Sequence, residues 1–405
     1  MQDAVIVAAA RSPIGRANKG SLRDLRPDDL AAEMVTAALA QVPALDPAEV
    51  DDLMLGCAQP AGEHGYNMGR AVAVLAGLDG VPGTTVNRYC SSSVQTTRMA
   101  LHAIRGGEGD VFVSAGVEMV SRYQYGKADG LPQTRNPRFA EAAARSERLA
   151  GNGGTWTDPR EAGDLPDLYL AMGHTAENVA RFMGVSRADQ DAFAARSQQR
   201  AQASIASGFW ADDITPVTRP DGVVVSADDG PRSGVTTESL AALEPVFRPD
   251  GTVTAGNCCA LNDGAAALVL MSAQRARDLG ITPLARIVST GLSALSPEIM
   301  GLGPVESCHQ ALGRAGMKVS DVDLVELNEA FAAQVVPSVR ELGLDEERVN
   351  VHGGAIAVGH PFGMTGARLT TTLLNALRWE DREIGMISMC VGGGQGMAMI
   401  VQRLN

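Results

Sequence analysis

Short apolar runs rich in β-branched residues alternate along the chain with longer segments whose apolar positions recur every three or four residues. The short runs are typical of buried strands and the longer segments of amphipathic helices. This alternation predicts a βαβα order, and therefore a mostly parallel sheet covered by helices. In the first part of the chain we expect strands at 5–8, 50–55, 84–86 and 110–115, and helices at 28–40 and 95–105.

A second series with the same rhythm begins near residue 284. Its expected strands lie at 284–289, 323–327, 348–351, 384–389 and 396–403, and its expected helices at 304–313, 329–342 and 368–377. The two series share a local detail, because Val86-Asn87 and Val349-Asn350 each lead through a polar or glycine-containing turn into a helix. Internal similarity of this kind favours a duplicated architecture.

The segment 121–250 interrupts this rhythm. Its first part is rich in Gly, Pro, Arg and Asp, and its clear helices are expected only at 175–183 and 187–207. Strand-like apolar sequence returns at 253–271. The predicted organisation is therefore an N-terminal half at 1–120 and 251–275, an inserted loop or lid domain at 121–250, and a C-terminal half at 276–405. Long loops of this kind usually cover sites or are mobile.

Composition and charge exclude several classes of function. The chain has 405 residues, enough for two or three compact units. No apolar run approaches the roughly 18 residues of a membrane-spanning helix, and a net charge of −13 would repel nucleic acid. The N-terminus lacks the features of a signal peptide, so we expect a cytoplasmic protein. Six cysteines without a CxxC pair predict neither a disulfide framework nor a metal site.

Two segments with a reactive side chain precede predicted helices. Cys90 lies at a strand-to-helix turn, where the positive end of the helix is expected to lower the pKa of a thiol. A buried inert cysteine is nevertheless the commoner situation. His360 lies in a stretch with six glycines just ahead of a helix, where a histidine could act as a general base near neutral pH. A loop histidine without a role is equally common.

Two further segments follow predicted strands. Cys390 ends an apolar strand and leads into Gly392-Gly393-Gly394, whose backbone amides could form an oxyanion site, although a tight hairpin with a core thiol would have the same pattern. Asn328 could simply cap the helix that follows it. All four segments nevertheless lie at the carboxyl ends of predicted strands, the edge where open α/β sheets place ligands. Their combination indicates one site.

Taken together, these segments resemble the thiolase family, whose members make or cleave 3-ketoacyl-CoA. The resemblance extends from Ala4 essentially to the C-terminus, and its motifs occur in family order at 87–92, 328–332, 353–366 and 390–396. It implies a thiolase fold, which is an α/β fold of two duplicated βαβα-type halves whose mixed sheets sandwich helices, with a loop domain inserted in the first half.

The resemblance also implies a role for each catalytic residue. Cys90 would be the acyl-accepting nucleophile, His360 the base that activates it, and Cys390 the acid and base for the second substrate. Asn328 would hold a water that forms one oxyanion site with His360, and the amides of Cys90 and Gly392 would form the other. Arg232 would contact the phosphates of coenzyme A. The residues implied to line the CoA and pantetheine channel are Met172, Arg232, Cys259, Met300, Ala330 and Phe331.

The activity implied by the family is that of an acyl-CoA:acetyl-CoA C-acyltransferase with a ping-pong acyl-cysteine mechanism. The expected reaction is thiolytic cleavage of 3-ketoacyl-CoA in fatty-acid degradation, and the alternative is condensation of two acetyl-CoA into acetoacetyl-CoA. No metal or tightly bound cofactor is expected, because coenzyme A and acyl-CoA are substrates. The family suggests a homodimer or homotetramer and leaves open a complex with other β-oxidation enzymes.

Several positions depart from the common family patterns. Tyr89 and Ser93 flank the nucleophile where many relatives carry a smaller or amide residue and a glycine, so the floor of the pocket is expected to be reshaped. Cys259 replaces serine, and a thiol is a weak hydrogen-bond donor. Ala171 precedes Met172 where short-chain biosynthetic members often have histidine. This last difference favours degradation of longer or bulkier acyl groups.

Three competing classes make different demands on the sequence. A decarboxylating ketoacyl synthase would be expected to use two histidines, or a histidine and an asparagine, and Cys390 argues against it. A sterol-carrier-like thiolase would be expected to have a histidine-containing motif in place of the one that begins at Asn328. A non-enzymatic CoA-binding protein would not need Cys90, His360 and Cys390 together.

Overall fold

The dominant element is a mixed sheet of ten strands, seen in a computed structural model that describes residues 2–405. Its central strands are buried along nearly their whole length, because helices cover both faces, and this explains why they are continuous apolar runs in the sequence. Two short strands, β6 and β7, form a separate ribbon. The strands are β1 Ala4–Arg11, β2 Gly15–Arg16, β3 Asp52–Gly56, β4 Gly83–Val86, β5 Val111–Met119, β6 Val217–Thr218, β7 Val224–Val225, β8 Asn262–Ser272, β9 Ala285–Ala294, β10 Leu324–Leu327, β11 Ile384–Val391 and β12 Gln395–Arg403.

The helices surround and separate the strands. None of those in residues 2–405 combines the length and the apolar character needed to cross a membrane. They are α1 Pro27–Ala40, α2 Met68–Leu75, α3 Ser92–Gly106, α4 Ala140–Asn152, α5 Met172–Phe182, α6 Arg187–Ser207, α7 Phe209–Asp213, α8 Thr237–Ala241, α9 Ala273–Asp278, α10 Gly303–Ala315, α11 Ala332–Leu342, α12 Ala355–Val358 and α13 Thr365–Trp379.

The sheet contains one pairing pattern twice. In the first half, β3 is parallel to β4 and β5, β5 is antiparallel to β8, and β8 is antiparallel to β1. In the second half, β10 is parallel to β11, β11 is antiparallel to β12, and β12 is antiparallel to β9. Hydrogen bonds between β1 and β9 join the halves, so the two predicted sheets are continuous. The predicted α/β class with duplicated halves is confirmed.

Helices α3 and α13, one from each half, pack against each other at their N-terminal ends. The backbone N–H of Ala367 donates to the hydroxyl of Ser93 at 2.9 Å. A Cβ added at Gly366 would lie 2.5 Å from the backbone nitrogen of Val94, so only glycine permits this close approach. The docking of the two helix ends brings the segments before them, which carry Cys90 and His360, to the same region.

Two elements of the second half differ from their predictions. The helix expected at 329–342 begins only at Ala332, because Phe331 is extended and its neighbour Ala330 accepts a hydrogen bond from the N–H of Cys259 at 3.0 Å. The strand expected at 348–351 is reduced to a single parallel bridge between Val325 and Val349. Asn350, the next residue, has a φ of 48°, and this left-handed conformation ends the pairing.

The segment expected to lack structure of its own contains α4, which the sequence pattern did not predict. Only Ala142 and Ser146 of this helix are buried. Because its two buried residues are an alanine and a serine, the helix presents no large buried side chain that would have marked it in the sequence.

Candidate active site

Cys90 lies in a sharp turn between β4 and α3. Tyr89, immediately before it, has a φ of 42°, a conformation that costs a bulky residue about 1–3 kcal/mol. The side-chain oxygen of Asn87 supports the turn by accepting a hydrogen bond from the Tyr89 N–H at 2.8 Å. The N–H of Gly392 and the N–H of Cys90 itself are both directed at the Cys90 sulfur. Two backbone amides therefore converge where an acyl group on this sulfur would lie.

Burial raises the pKa of the Cys90 thiol to about 12, although the two amides lower it, and the negative charge of Glu118 adds to the rise. The expectation that the helix end lowers this pKa below its ordinary value is therefore wrong. Loss of water around the sulfur outweighs the helix end and the amides. Cys90 is consequently protonated at neutral pH and needs a base to become a nucleophile.

His360 is buried ahead of α13 and has the properties of that base. The hydroxyl of Thr365 donates to the carbonyl of Pro361 at 2.7 Å, so its oxygen is left to accept the Nδ1–H of His360, also at 2.7 Å. This tautomer leaves a lone pair on Nε2. Burial lowers the pKa of His360 to about 3, and the positive charge of Arg368 lowers it further. The imidazole is therefore neutral and able to accept a proton.

Asn328 lies beside this imidazole. Its side-chain nitrogen is 3.2 Å from Nε2 of His360, and its side-chain oxygen is buried with no hydrogen-bond partner among the residues described. The backbone N–H of Asn328 donates to the carbonyl of Ser388 at 2.9 Å, which ties it to β11. Asn328 does not cap the following helix, the alternative that the sequence left open, because Phe331 occupies the N-cap position.

Cys390 lies near the end of β11, where the predicted glycine turn leads into β12. Gly393 and Gly394 have φ values of 78° and 79°, so the turn requires residues without a Cβ. Burial raises the pKa of the Cys390 thiol, and negative charge on Cys90 raises it further, which shows that the two sulfurs are close enough to interact. Since β10 and β11 are parallel neighbours, Cys390 and Asn328 lie at the same edge of the sheet.

A cavity of about 360 Å³ opens beside Cys90 and Gly392. Phe362 lines it, and the Phe362 ring contacts the His360 ring edge-on with 5.2 Å between centroids. The geometry therefore brings Cys90, His360 and Cys390 to one region. Two positions that depart from the family pattern, Tyr89 and Ala171, also line this cavity.

Most residues expected along the CoA channel adjoin this region. Met172 lines the cavity. Charges on Cys90 and Cys390 raise the pKa of Cys259, which places this third thiol near the other two, although burial is the main cause of its raised pKa. The apolar members of the set lie in the same buried cluster as Cys390; they are Met300, Ala330 and Phe331.

Arg232 is separated from the cavity. It lines a smaller hollow together with Arg16, Cys258 and Asn262. Asn262 connects this hollow to the site, because its side-chain oxygen accepts the backbone N–H of His360 at 2.9 Å. Of the two adjacent cysteines, Cys258 lines this hollow and Cys259 does not.

Sequence reasoning missed Glu118, which is buried in β5. One of its oxygens accepts the N–H groups of Ala58 and Gly363 at 2.8 and 2.9 Å. The other accepts the N–H of Gln59 at 3.2 Å and the hydroxyl of Tyr123 at 2.9 Å. Glu118 thus ties the loop after His360 to a wall of the cavity. Its signal was a single carboxylate in an otherwise apolar strand. Within residues 2–405 no three His, Cys, Asp or Glu side chains are grouped to hold a metal.

A thiol that needs a base, a neutral imidazole and a pair of converging backbone amides are the requirements of cysteine-dependent acyl transfer. Comparison with known proteins agrees with this class. Residues 4–274 match the thiolase N-terminal domain, and residues 281–403 match the thiolase C-terminal domain. The chain belongs to the thiolase family and is an acyltransferase, as the sequence motifs predicted.

Full-length relatives support this assignment. The chain is 42% identical over 415 residues to a 3-ketoacyl-CoA thiolase of Bacillus subtilis (strain 168), covering 99% of this chain and 100% of the relative. It is also 42% identical over 417 residues to a beta-ketoadipyl-CoA thiolase of Acinetobacter baylyi, covering 100% of both. The crystal structure of the Bacillus anthracis acetyl-CoA acetyltransferase is similar with a TM-score of 0.86 and 38% identity, over 100% of this chain and 99% of that one.

Proposed function

We propose that this thiolase works in the degradative direction and cleaves 3-ketoacyl-CoA with coenzyme A into acetyl-CoA and a shortened acyl-CoA. The observation that carries the proposal is the cavity of about 360 Å³ beside Cys90, which exceeds what an acetyl group needs. Ala171 keeps its wall small and apolar at the position where a histidine is common in short-chain biosynthetic relatives. The alternative is condensation of two acetyl-CoA, which the similarity to an acetyl-CoA acetyltransferase keeps open.

In the first half of the reaction, the thiol proton of Cys90 passes to Nε2 of His360, and the thiolate attacks the 3-keto carbon. The N–H groups of Cys90 and Gly392 stabilise the resulting oxyanion, since both converge on this position. The bond between the α-carbon and the keto carbon then breaks, which leaves the acyl group on Cys90 and acetyl-CoA as an enolate. Cys390 protonates the enolate carbon.

The enolate oxygen carries negative charge and needs its own donors. The protonated imidazole of His360 is one, and a water held by the unpartnered side-chain oxygen of Asn328 is the other. In the second half, the Cys390 thiolate removes the proton of the CoA thiol, whose sulfur attacks the acyl group on Cys90. The departing Cys90 sulfur recovers its proton from His360, so every group returns to its starting state.

Coenzyme A is proposed to bind along Met172, Cys259, Met300, Ala330 and Phe331, which adjoin the catalytic thiols. Its phosphates would reach the hollow that holds Arg232 and Arg16, two guanidinium groups in an acidic protein. Guanidinium groups suit phosphate oxygens because they offer several N–H donors in one plane.

The organisation of the chain into domains is proposed from the strand pairing and the family resemblance. The repeated strand pairing supports an N-terminal half at 1–120 and 251–275, an inserted domain at 121–250 and a C-terminal half at 276–405. Family resemblance supports a cytoplasmic homodimer or homotetramer that acts in β-oxidation, with room for a complex with other enzymes of that process.

The direction is tested by comparing initial rates of thiolysis, from acetoacetyl-CoA to long-chain 3-ketoacyl-CoA, with the rate of condensation of acetyl-CoA. We expect the highest kcat/KM with substrates longer than acetoacetyl-CoA. A strict preference for acetoacetyl-CoA would favour the biosynthetic alternative.

The residue roles are tested by mass. Cys90→Ala should abolish turnover and the acyl adduct. Cys390→Ser should lose most turnover but keep an adduct on Cys90 after incubation with an acyl-CoA. An adduct mapped to Cys390 in the wild type would reverse the two roles.

A further inference from the structure

The part of the cavity wall formed by the inserted segment contains a guanidinium group without a carboxylate partner among residues 2–405. Arg135 lines the cavity, and its guanidinium forms no ion pair with any carboxylate of residues 2–405. Two arginines of the adjacent α4, Arg145 and Arg148, do form such pairs, at 2.8 Å from Glu298 and 2.8 Å from Glu141. What distinguishes Arg135 from Arg138, which also forms no ion pair among residues 2–405, is that Arg135 lines the cavity.

Tyr169 holds this guanidinium in place. The guanidinium carbon of Arg135 lies 5.5 Å from the centre of the Tyr169 ring, a cation–π contact. The Tyr169 ring also packs edge-on against Phe139, with 5.4 Å between centroids. Its hydroxyl oxygen accepts the backbone N–H of Asn136 at 3.1 Å, so the hydroxyl proton remains free to be donated. Two adjacent side chains that both line the cavity therefore have hydrogen-bond donors available.

The other polar side chains of the cavity form their hydrogen bonds with residues other than Arg135 and Tyr169. Asp129 is engaged by Gln59, whose side-chain nitrogen donates to its carboxylate at 2.6 Å and whose oxygen accepts its backbone N–H at 2.9 Å. Thr134 donates its hydroxyl to the carbonyl of Leu131 at 2.7 Å. Most of the other walls are apolar. A ligand that reaches Arg135 and Tyr169 can therefore take the place of water as the acceptor.

The nature of that ligand follows from its place. The cavity starts at Cys90, whereas the hollow assigned to the phosphates of coenzyme A lies elsewhere. Met172, which lines the same cavity, is assigned to pantetheine, and the acyl chain on Cys90 is assigned to the part of the cavity lined by Arg135. A volume of about 360 Å³ leaves room for an acyl group longer than acetyl that ends in a carboxylate.

We propose that Arg135 and Tyr169 are specificity determinants for a 3-ketoacyl-CoA whose acyl chain ends in a carboxylate. This inference rests on the proposed function, because it assigns the far end of the same acyl site. A carboxylate matches a guanidinium with two parallel N–H···O bonds, and the Tyr169 hydroxyl supplies a third donor. The apolar walls between Cys90 and Arg135 would contact the methylene groups of the chain.

The test compares 3-ketoadipyl-CoA with 3-ketohexanoyl-CoA, which have the same chain length and differ in the terminal carboxylate. Thiolysis of both is measured with the full-length wild type, with Arg135→Gln and with Arg138→Gln. Arg138 is the matched control, an exposed arginine of the same segment that does not line the cavity. We expect the wild type to favour 3-ketoadipyl-CoA in kcat/KM. Arg135→Gln should reduce that preference about tenfold. This is the low end of the range for hydrogen bonds to a charged group, because Arg135 is solvent-exposed. Arg138→Gln should leave the preference unchanged.

Three outcomes overturn the inference. A wild type that cleaves 3-ketohexanoyl-CoA as well as or better than 3-ketoadipyl-CoA removes the specificity but leaves the proposed function intact. Equal losses with both substrates in Arg135→Gln, together with a raised KM for coenzyme A, would assign Arg135 to a CoA phosphate instead. A wild type that cleaves neither substrate, while condensing acetyl-CoA, would contradict the proposed function itself.

Discussion

Replacing His360 by alanine tests the central electrostatic feature of the site, a thiol that burial keeps protonated next to an imidazole that burial keeps neutral. The pKa of Cys90 is about 12. A thiol with this pKa is almost entirely protonated at a pH of about 7.5, so the thiolate has to be formed by proton transfer inside the site. General bases typically contribute 10²- to 10⁴-fold. We therefore expect His360→Ala to slow acylation of Cys90 by about 10³- to 10⁴-fold at this pH.

The pH dependence gives a second, independent expectation. His360 has a pKa of about 3 and stays unprotonated at all higher pH, so acylation of the wild type should change little between about pH 6 and 9. Without the imidazole, the reactive species is the small thiolate fraction set by a pKa of about 12. The rate in His360→Ala should then rise about tenfold per pH unit over the same range.

The assay is single-turnover acylation by an acyl-CoA, followed by quenching and intact-mass measurement. His309→Ala is the matched control, because His309 is an exposed histidine of α10 outside the site, and it should acylate at the wild-type rate. The thermal midpoint of each variant excludes unfolding as the cause. Acylation of His360→Ala within tenfold of the wild type, or a rate independent of pH, would refute the role of the imidazole as the base.

Three further predictions concern groups outside this pair. Glu118→Gln leaves at least one of the N–H groups of Ala58, Gln59 and Gly363 without an acceptor. We expect the free energy of unfolding, measured in urea, to fall by about 2 kcal/mol. An unchanged free energy would contradict this hydrogen-bond pattern. Iodoacetamide should label Cys90 before Cys308, because Cys308 is fully buried whereas Cys90 is partly accessible, and peptide mass spectrometry would reveal the opposite order. Burial lowers the pKa of His352 to about 4, so the unfolded chain takes up its proton first as the pH falls; stability should decline between about pH 6.5 and 4, and His352→Gln should flatten that decline.

The agreement between sequence and structure is greatest where buried strands end. The apolar run before Cys390 and the glycines after it predicted both β11 and the tight turn, because a strand covered on both faces must be apolar and a left-handed turn must use glycine. The turn before α3 was equally visible. Failures occurred where a side chain or backbone group is satisfied by a distant partner. The segment that begins at Asn328 stays extended because it bonds to Cys259, and no local pattern records that contact.

The sequence by itself determined the duplicated α/β class, the four segments that carry chemistry and the family to which they belong, because periodicity and turn chemistry are local properties of the chain. The tertiary structure alone decided the states of the reactive groups. The thiol of Cys90 is protonated and the imidazole of His360 is neutral because residues far away in the sequence take away most of the water around the thiol and bury the imidazole. Burial, the hydrogen bond that selects the His360 tautomer and the shape of the acyl cavity all arise from packing between distant segments, so they exist only in the folded chain.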